Sequence, residues 1–389
     1  MGVSMRESRN RPSHVIMPFL GSEIGGSHVA GFTLGEALSC NYGIECIVVC
    51  PSPSAIADEA RGRQFSVIPS GERPTYRHSL SYDLRRLASR IGILASFRSH
   101  DAIIHCNDIQ ALKSWGPAAK LLGFPLIYHH RSLNPTTFLK RRVFSLADYS
   151  ICVSNACSEN LSCVDRRTVV LDPVGIADGS SRDAARASLV ADFGLDGNAR
   201  LIGFIANFFH RKRPFFFLDV CAHLASQVEG FHGIVFGRER ELSEKELRVY
   251  ADGLGLGRHV TFAGFRLPPS RNVAALDLLL APALDEPFGL TLVEALLLGV
   301  PYVATSSVGH KEIHGRWGGG RMVSDQADSA HFASVALDVL EDPSRVVLDQ
   351  IRRARARQEL SPKRHADDVM RVYELITAPR AALALAVGR

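Results

Sequence analysis

The chain has 389 residues, enough for two domains with separate hydrophobic cores. Hydrophobic residues make up 46% and charged residues 22%, which excludes wholesale disorder, and no apolar run reaches the roughly 18 residues that span a bilayer. The net charge is only +5, and we predict no nucleic-acid partner.

Residues 1–13 are polar and basic and lack the apolar core of a secretory signal, so we predict a disordered leader. The eight cysteines show no C-x-x-C and no metal-ligand spacing, and several lie in strand-like apolar runs. These features predict a protein of the reducing cytoplasm.

The first half of the chain predicts strands alternating with helices. Strands are expected at residues 14–19, 45–50, 65–68, 101–105, 125–128 and 149–153. A glycine-rich turn at 21–28 precedes a helix at 29–39 and lets backbone approach a ligand closely. The turn lacks the full G-x-G-x-x-G spacing, so a dinucleotide fingerprint is not supported. Residues 51–63 are predicted to form a loop.

A basic amphipathic helix is predicted next, from apolar residues at helical spacing with arginines between them: Leu84, Leu87, Ile91 and Leu94, with Arg85, Arg86, Arg90 and Arg98. Such a helix could lie on a membrane face. More often it packs its apolar stripe on a sheet, and we favour that interpretation.

Polar segments at 106–108 and 129–132 follow two predicted strands, where open parallel sheets bind ligands. A metal site built from His105, His129 and His130 is an alternative. It lacks a carboxylate at useful spacing, so we predict no metal site.

After a predicted linker at 178–183, the second half repeats the alternation. Strands are expected at 201–208, 233–236, 259–262, 278–281 and 302–304, and helices at 214–227, 242–254, 290–298 and 327–341, with a final helix at 366–375. This order predicts an α/β protein whose parallel sheets carry helices on both faces.

Residues 284–301 contain two carboxylates eight residues apart. Pro287 and Gly289 bend the approach to a helix that Gly299 and Pro301 end. Glu286 should therefore lie on a loop, and Glu294 on the second turn of the helix. A carboxylate accepts two hydroxyl donors, so the pair suits a polyol, although a plain surface helix would also fit this spacing.

The order Glu286-Pro287-Phe288-Gly289 to Glu294-Ala295, followed by 299–301 and 309–312, resembles the E-x7-E signature of retaining glycosyltransferases of family 4. The resemblance covers roughly residues 14–345. It implies the GT-B fold, with two Rossmann-like domains facing a central cleft. We expect an acceptor-side domain at 14–180, a donor-nucleotide domain at 181–360, and a helix at 361–378 that returns to the first domain.

The resemblance also implies roles for individual residues. Glu286 would meet donor-sugar hydroxyls and Glu294 the ribose of the nucleotide. The backbone of Phe288, Gly289, Leu290 and Thr291 would lie over the sugar and the diphosphate. Gly25 and Gly26 would close over the diphosphate, and His130, or alternatively His129, would lie near the donor sugar.

One stretch departs from the family pattern of an Arg followed by a Lys, both on the donor diphosphate. Lys212 falls on the Lys position, but Asn207 occupies the place of the Arg. Arg211 or Arg213 could supply the missing cation. A solvated basic turn is the alternative.

We therefore predict a metal-independent, retaining glycosyltransferase without a cofactor, acting in bacterial glycan or glycolipid synthesis. Its donor would be a nucleotide diphosphate sugar, and its acceptor a carbohydrate, a glycolipid or a small molecule. Peripheral contact with the inner membrane face is compatible with this prediction. A nucleotide-sugar 2-epimerase and a non-catalytic binding protein of the same fold remain alternatives.

Overall fold

The computed structural model describes residues 11–75, 79–133, 136–176 and 181–378. The chain forms two compact units, one holding the residues up to Pro173 and from Leu360 onwards, the other Val174–Glu359. Most of the expected leader and the end of the chain after residue 378 lie outside the described residues, as does the first half of the expected linker. At the described end of the leader, the Ser13 N–H donates to the Asp101 carbonyl at 2.8 Å.

The first unit is built on one seven-stranded sheet. Its strands are β1 (His14–Pro18), β2 (Glu45–Cys50), β3 (Ser66–Pro69), β4 (Ala102–Cys106), β5 (Leu126–His130), β6 (Tyr149–Cys152) and β7 (Arg167–Val169). Its helices are α1 (Gly26–Tyr42), α2 (Ala55–Gly62), α3 (Leu80–Ala95), α4 (Ile109–Leu122), α5 (Phe138–Phe144), α6 (Asn155–Asn160) and α15 (Pro362–Thr377). The strand order is β3-β2-β1-β4-β5-β6-β7, and every pairing is parallel.

The second unit repeats this topology with six strands. They are β8 (Arg200–Ile205), β9 (Phe231–Phe236), β10 (Val260–Gly264), β11 (Leu278–Ala281), β12 (Tyr302–Thr305) and β13 (Gly320–Val323), in the order β10-β9-β8-β11-β12-β13. Its helices are α7 (Arg182–Phe193), α8 (Pro214–Ala225), α9 (Glu244–Gly253), α10 (Pro269–Ala274), α11 (Leu290–Leu298), α12 (Val308–Trp317), α13 (Ser329–Glu341) and α14 (Gln350–Glu359). Short 3₁₀ turns occupy His210–Lys212 and Pro343–Arg345.

The prediction of two Rossmann-like parallel sheets is therefore confirmed. In each unit the strand order reverses beside the first strand, at β1 and β4 and again at β8 and β11. Ligands of open α/β sheets bind outside the carboxyl ends of the strands at such a reversal. The topology thus marks one candidate edge in each unit.

Each sheet has its own core. In the first unit, β-strand residues such as Val15 and Met17 pack with Phe32 of α1 and with Met370 and Tyr373 of α15. Phe204, Phe217, Leu224, Val235 and Phe332 are part of the separate core of the second unit. Because α15 contributes buried side chains to the first core, it is an integral part of that unit.

Helices α5, α10 and α12 were not predicted, and local structure differs from prediction at three further segments. Residues 51–63, predicted as a loop, contain α2, whose N-cap Ser54 side chain accepts the Ala57 N–H at 3.1 Å. The predicted linker at 178–183 runs into α7, capped by Ser181. Strand β13 was not predicted, because its glycine-rich start reads as a turn.

The amphipathic helix α3 packs against α4 and buries an arginine. The Arg90 guanidinium contacts Glu72 at 2.6 Å and Asp83 at 2.9 Å, and it donates to the Ser114 carbonyl at 2.7 Å. Leu94 is buried on the same helix, whereas Leu84 is 63% exposed. Part of the expected apolar stripe is therefore solvent-facing, and one of the expected surface arginines is in the interior.

Candidate functional site

Two loops meet at the carboxyl ends of β8 and β11, where the second sheet reverses its order. The Leu284 N–H, after β11, donates to the Arg211 carbonyl, after β8, at 2.7 Å. This backbone bond brings the two loops together, and the Lys212 ammonium donates to the Glu286 carboxylate. Arg211 lies farther out, with its Nη1 at 3.7 Å from Glu286 Oε2. The structure thus joins three of the predicted site residues.

The loop of Glu286 needs glycine at two points. Gly289 has φ 108° at the start of α11, a backbone conformation that other residues adopt only with strain. Gly309 donates its N–H to the Glu286 carbonyl at 2.9 Å, and a Cβ there would lie 2.4 Å from that oxygen. The start of α12 is therefore packed directly on the loop and holds it in place.

Helix α11 begins at Leu290 with no side-chain cap among the described residues. The N–H groups of a first helical turn have no acceptor within the helix, and the helix dipole makes this end favourable for a negative group. Glu286 therefore lies on the loop before α11, and Glu294 on its second turn, as the spacing predicts. Phe288, which lies between the two glutamates in the sequence, is buried and anchors the turn.

The charge of Glu286 is set by its neighbours. Burial would raise the pKa of its carboxyl, but Lys212, His310 and Arg211 together outweigh burial and lower the pKa below its ordinary value. Glu286 is therefore ionised at neutral pH. Its carboxylate has further lone pairs beyond the one that accepts from Lys212, so it can also accept hydroxyl groups.

Glu294 has the opposite electrostatics. It is buried, and burial raises the pKa of its carboxyl to about 8. Among the described residues, none donates a hydrogen bond to it or pairs with it. A buried carboxyl without a partner is costly in the unliganded protein, and it is well suited to accept hydroxyl donors from a ligand.

His310 is a further residue at this site, and the sequence pattern indicates no role for it beyond its place in the 309–312 stretch. Its Nδ1 lies 3.1 Å from the Thr305 carbonyl, which assigns the proton to Nδ1 and leaves a lone pair on Nε2. Burial lowers the pKa of the ring to about 4, so it is neutral at pH 7. A small pocket at the same edge is lined by Lys212, Glu286, Thr291 and His310 together with the ends of β8 and β11.

The Asn207 side chain makes a hydrogen bond within the protein. Its side-chain oxygen accepts the Arg238 N–H at 3.2 Å and so ties the loop after β8 to the loop after β9. The Arg213 guanidinium lies 3.7 Å from the centre of the Phe216 ring, on α8. Of the two candidate substitute cations, only Arg211 approaches Glu286 in the described structure.

In the first unit, Gly25 is the N-cap of α1 and Gly26 its first residue. The Gly25 N–H donates to His28 Nδ1 at 3.1 Å. His130, at the end of β5, is buried with both ring nitrogens in contact: Nδ1 with the Tyr128 hydroxyl at 2.8 Å and Nε2 with Asn160 at 3.2 Å. Burial lowers the pKa of His130 to about 4.

The alternative metal set of His105, His129 and His130 is divided between two networks. His105 Nε2 contacts His129 Nδ1 at 3.3 Å, whereas His130 bonds to Tyr128 and Asn160. His129 instead lies near Asp172 and His365, and this buried trio could hold an ion. Arg131 already places its guanidinium on both Asp172 oxygens, at 2.8 and 2.9 Å, so a cation there would face a fixed positive charge.

Comparison with known proteins shows that the second unit is similar to a known group. Residues 186–358 match the family model described as "Glycosyl transferases group 1". A D-inositol 3-phosphate glycosyltransferase of Rhodococcus opacus is 27% identical over 212 residues, covering 50% of this chain and 44% of the relative. The chain thus matches less than half the length of that relative.

Solved structures match almost the whole chain. Anabaena Alr3699/HepE in complex with UDP and glucose has a TM-score of 0.76 at 20% identity, covering 92% of this chain and 99% of that one. Sucrose-phosphate synthase from Thermosynechococcus elongatus has a TM-score of 0.76 at 18% identity, covering 96% and 100%. At these identities the likeness establishes the GT-B fold, and with the family match it supports a glycosyltransferase. No helix in the described part of the chain is both long and apolar enough to cross a membrane.

Proposed function

We propose that this protein is a retaining, metal-independent glycosyltransferase of family 4 that moves a sugar from a nucleotide diphosphate sugar to an acceptor hydroxyl. The observation that carries the proposal is the contact between Lys212 and Glu286 at the strand-order reversal of the second sheet. This contact lies within the segment that matches the group 1 glycosyltransferases. It combines a cation for a phosphate with a carboxylate for sugar hydroxyls.

The proposed donor site divides the work between the two carboxylates. Glu286, ionised and already paired with Lys212, would accept hydroxyls of the sugar. Glu294, buried without a partner, would accept the ribose diol. The backbone from Phe288 to Thr291, including Gly289 and Leu290, would bind the donor through the first-turn N–H groups of α11.

Charge at the diphosphate grows as the sugar–phosphate bond breaks. Lys212 and Arg211 would neutralise that charge, together with the start of α11. Asn207 stands where the family has a cation and is engaged with Arg238, so Arg211 would carry part of that role.

We propose a same-face displacement for the transfer. The bond from the anomeric carbon to the diphosphate oxygen breaks, and the acceptor oxygen bonds to the same face of that carbon. The acceptor proton passes to the departing phosphate oxygen. This balance needs no side-chain nucleophile and no bound cation.

For the first unit we propose that the start of α1, at Gly25 and Gly26, binds an anionic group and that His130 contacts a sugar. The acceptor would be a carbohydrate, a glycolipid or a small molecule in bacterial glycan synthesis. We further propose a cytoplasmic enzyme in peripheral contact with the inner membrane face. The described cysteines are all free thiols, which fits a reducing compartment.

The test is a binding screen followed by product analysis. UDP-, GDP- and ADP-linked sugars are compared by thermal shift, because a ligand at 100 times its dissociation constant stabilises by about 2.7 kcal/mol. The stabilising donor is then incubated with candidate acceptors, and the anomeric configuration of the product is read by proton NMR. Transfer with retention is expected. An epimerised nucleotide sugar would instead identify a 2-epimerase, and binding without turnover would identify a binding protein.

Lys212→Ala and Lys245→Ala form a matched pair for this test. Lys245 is an exposed lysine on α9 of the same unit. Loss of turnover in the first variant alone would link the activity to the proposed site.

A further inference from the structure

Helix α5 of the first unit presents large apolar side chains to solvent. Phe138 is 68% exposed and Leu139 75% exposed, on consecutive positions of its first turn. Phe144, at the other end, is buried and stacks on Tyr128 with ring centroids 5.5 Å apart. Phe144 thus anchors the inner face of the helix, so the exposure of Phe138 and Leu139 is a fixed feature.

The outer face of α5 is also basic. Arg141 and Arg142 are exposed, and the Arg142 guanidinium lies 5.1 Å from the centre of the Phe138 ring. Residues 131–147 contain no Asp or Glu. Within the described ranges, neither Arg141 nor Arg142 has an ion pair. The surface therefore combines exposed apolar area with positive charge that the protein does not neutralise.

A second apolar pair lies on α3, which is separated from α5 by the helix α4 that both contact. Leu80 is 69% exposed and Leu84 63% exposed, one helical turn apart, with Arg85 exposed beside them. The first two turns of α3 are tied to the carboxyl end of β3, because Arg86 donates to the Ser70 carbonyl at 3.0 Å. Helix α5 likewise follows the carboxyl end of β5. Both pairs thus lie on helices that start from the same edge of the sheet.

Helix α14 of the second unit is a useful contrast. Ile351 is 83% exposed there, and four arginines follow it. All four are engaged within the protein: Arg352 with the Trp317 carbonyl, Arg353 with the Leu348 carbonyl, Arg355 with Glu359 and Arg357 with the Leu297 carbonyl. A basic helix with an exposed apolar residue is therefore not by itself an unsatisfied surface.

We propose that the outer face of α5, with the start of α3, is a docking surface for an anionic lipid bilayer. Phe138, Leu139 and the two leucines of α3 would enter the boundary between headgroups and acyl chains, while Arg141 and Arg142 meet lipid phosphates. A second copy of the chain fits less well as a partner. A two-fold contact would place Arg141 and Arg142 of one copy against the same arginines of the other, with no acidic residue between them. This inference gives the membrane contact of the proposed function a location.

The charge sets the size of the effect. Each basic residue near an anionic membrane contributes about fivefold to partitioning, so removing two arginine charges should weaken it roughly 25-fold. Binding should also weaken as salt is raised, because the attraction falls off within a Debye length.

The experiment is co-sedimentation of the full chain with vesicles of phosphatidylcholine alone or with one-third phosphatidylglycerol. Wild type should bind the anionic vesicles far more tightly and lose binding in high salt. The variants are Arg141→Gln with Arg142→Gln, Phe138→Ser with Leu139→Ser, and, as control, Ile351→Ser with Arg355→Gln on α14. Only the two α5 variants should lose binding, with unchanged circular dichroism.

Three results would overturn the proposal: no binding of wild type to anionic vesicles, equal binding by the α5 variants, or equal losses in the α14 control. Loss of a dimer in sedimentation without vesicle binding would assign the surface to self-association instead. Partitioning is measured without donor or acceptor, so its failure is separate from failure of the transferase proposal.

Discussion

Replacing Glu294 by Gln should stabilise the unliganded protein, and more so as the pH rises. Burial raises the pKa of this carboxyl from 4.5 to about 8, and no described residue compensates for its charge. The folded protein therefore holds the proton more tightly than the unfolded chain does. The stability that this carboxyl contributes is complete below about pH 4.5 and is lost as the pH rises through 8.

The magnitude follows from that pKa difference. A difference of one pH unit in pKa corresponds to about 1.4 kcal/mol, so the wild type should lose up to about 5 kcal/mol between pH 4.5 and pH 8 from this group. Glutamine has the same shape and stays neutral. The variant should therefore match the wild type near pH 5 and exceed it by a few kcal/mol at pH 8.

The assay is urea unfolding at several pH values between 5 and 9. The chain has two units, and each can have its own unfolding transition. The transition of the second unit is identified as the one that moves to higher urea concentration when nucleotide is added. Glu229→Gln, at an exposed position of the same unit, is the control and should change little. A Glu294→Gln variant that is less stable than wild type at pH 8, or whose advantage does not grow with pH, would contradict a destabilising charge at Glu294.

Four further predictions concern the same site. Lys212→Ala should raise the activation free energy of the transfer by about 2–4 kcal/mol, which lowers turnover roughly 30- to 1000-fold. Donor binding should weaken less, and single-turnover kinetics would separate the two effects. Glu286→Gln should reduce kcat far more than nucleotide affinity, and equal losses would contradict its assignment to the sugar. Asn207→Arg should keep or raise the transfer rate if Arg238 tolerates the lost bond, whereas abolition would show that the contact with Arg238 is required. Saturating EDTA should leave the rate unchanged, and loss of activity that magnesium restores would contradict metal-independent catalysis.

Local sequence predicted helix α11 well. Pro287, Gly289 and Gly299 act through backbone geometry alone, so the bounds of α11 and the placement of both glutamates follow from spacing. The alternation of strands and helices likewise predicts two parallel sheets, because parallel strands need crossover helices.

Other features depend on contacts between distant segments. His310 and Gly309 reach the Glu286 loop from another helix, and the Asn207 contact requires the loop after β9. Serine and aspartate before α7 read as a linker because the residues that form turns also cap helices. The burial of Arg90 depends on Glu72, which precedes α3, and on the Ser114 carbonyl of α4, and helical periodicity cannot show either contact.

A nucleotide-sugar site at Lys212 and Glu286 is tested by measuring the release of nucleoside diphosphate from a nucleotide sugar by wild type and by Lys212→Ala, with Lys245→Ala as control. We predict release from at least one of the UDP-, GDP- or ADP-linked sugars. We also predict that Lys212→Ala alone loses roughly 30-fold or more of this release. Release that is equal in all three proteins, or no release and no binding with any donor, would contradict a nucleotide-sugar site at Lys212 and Glu286.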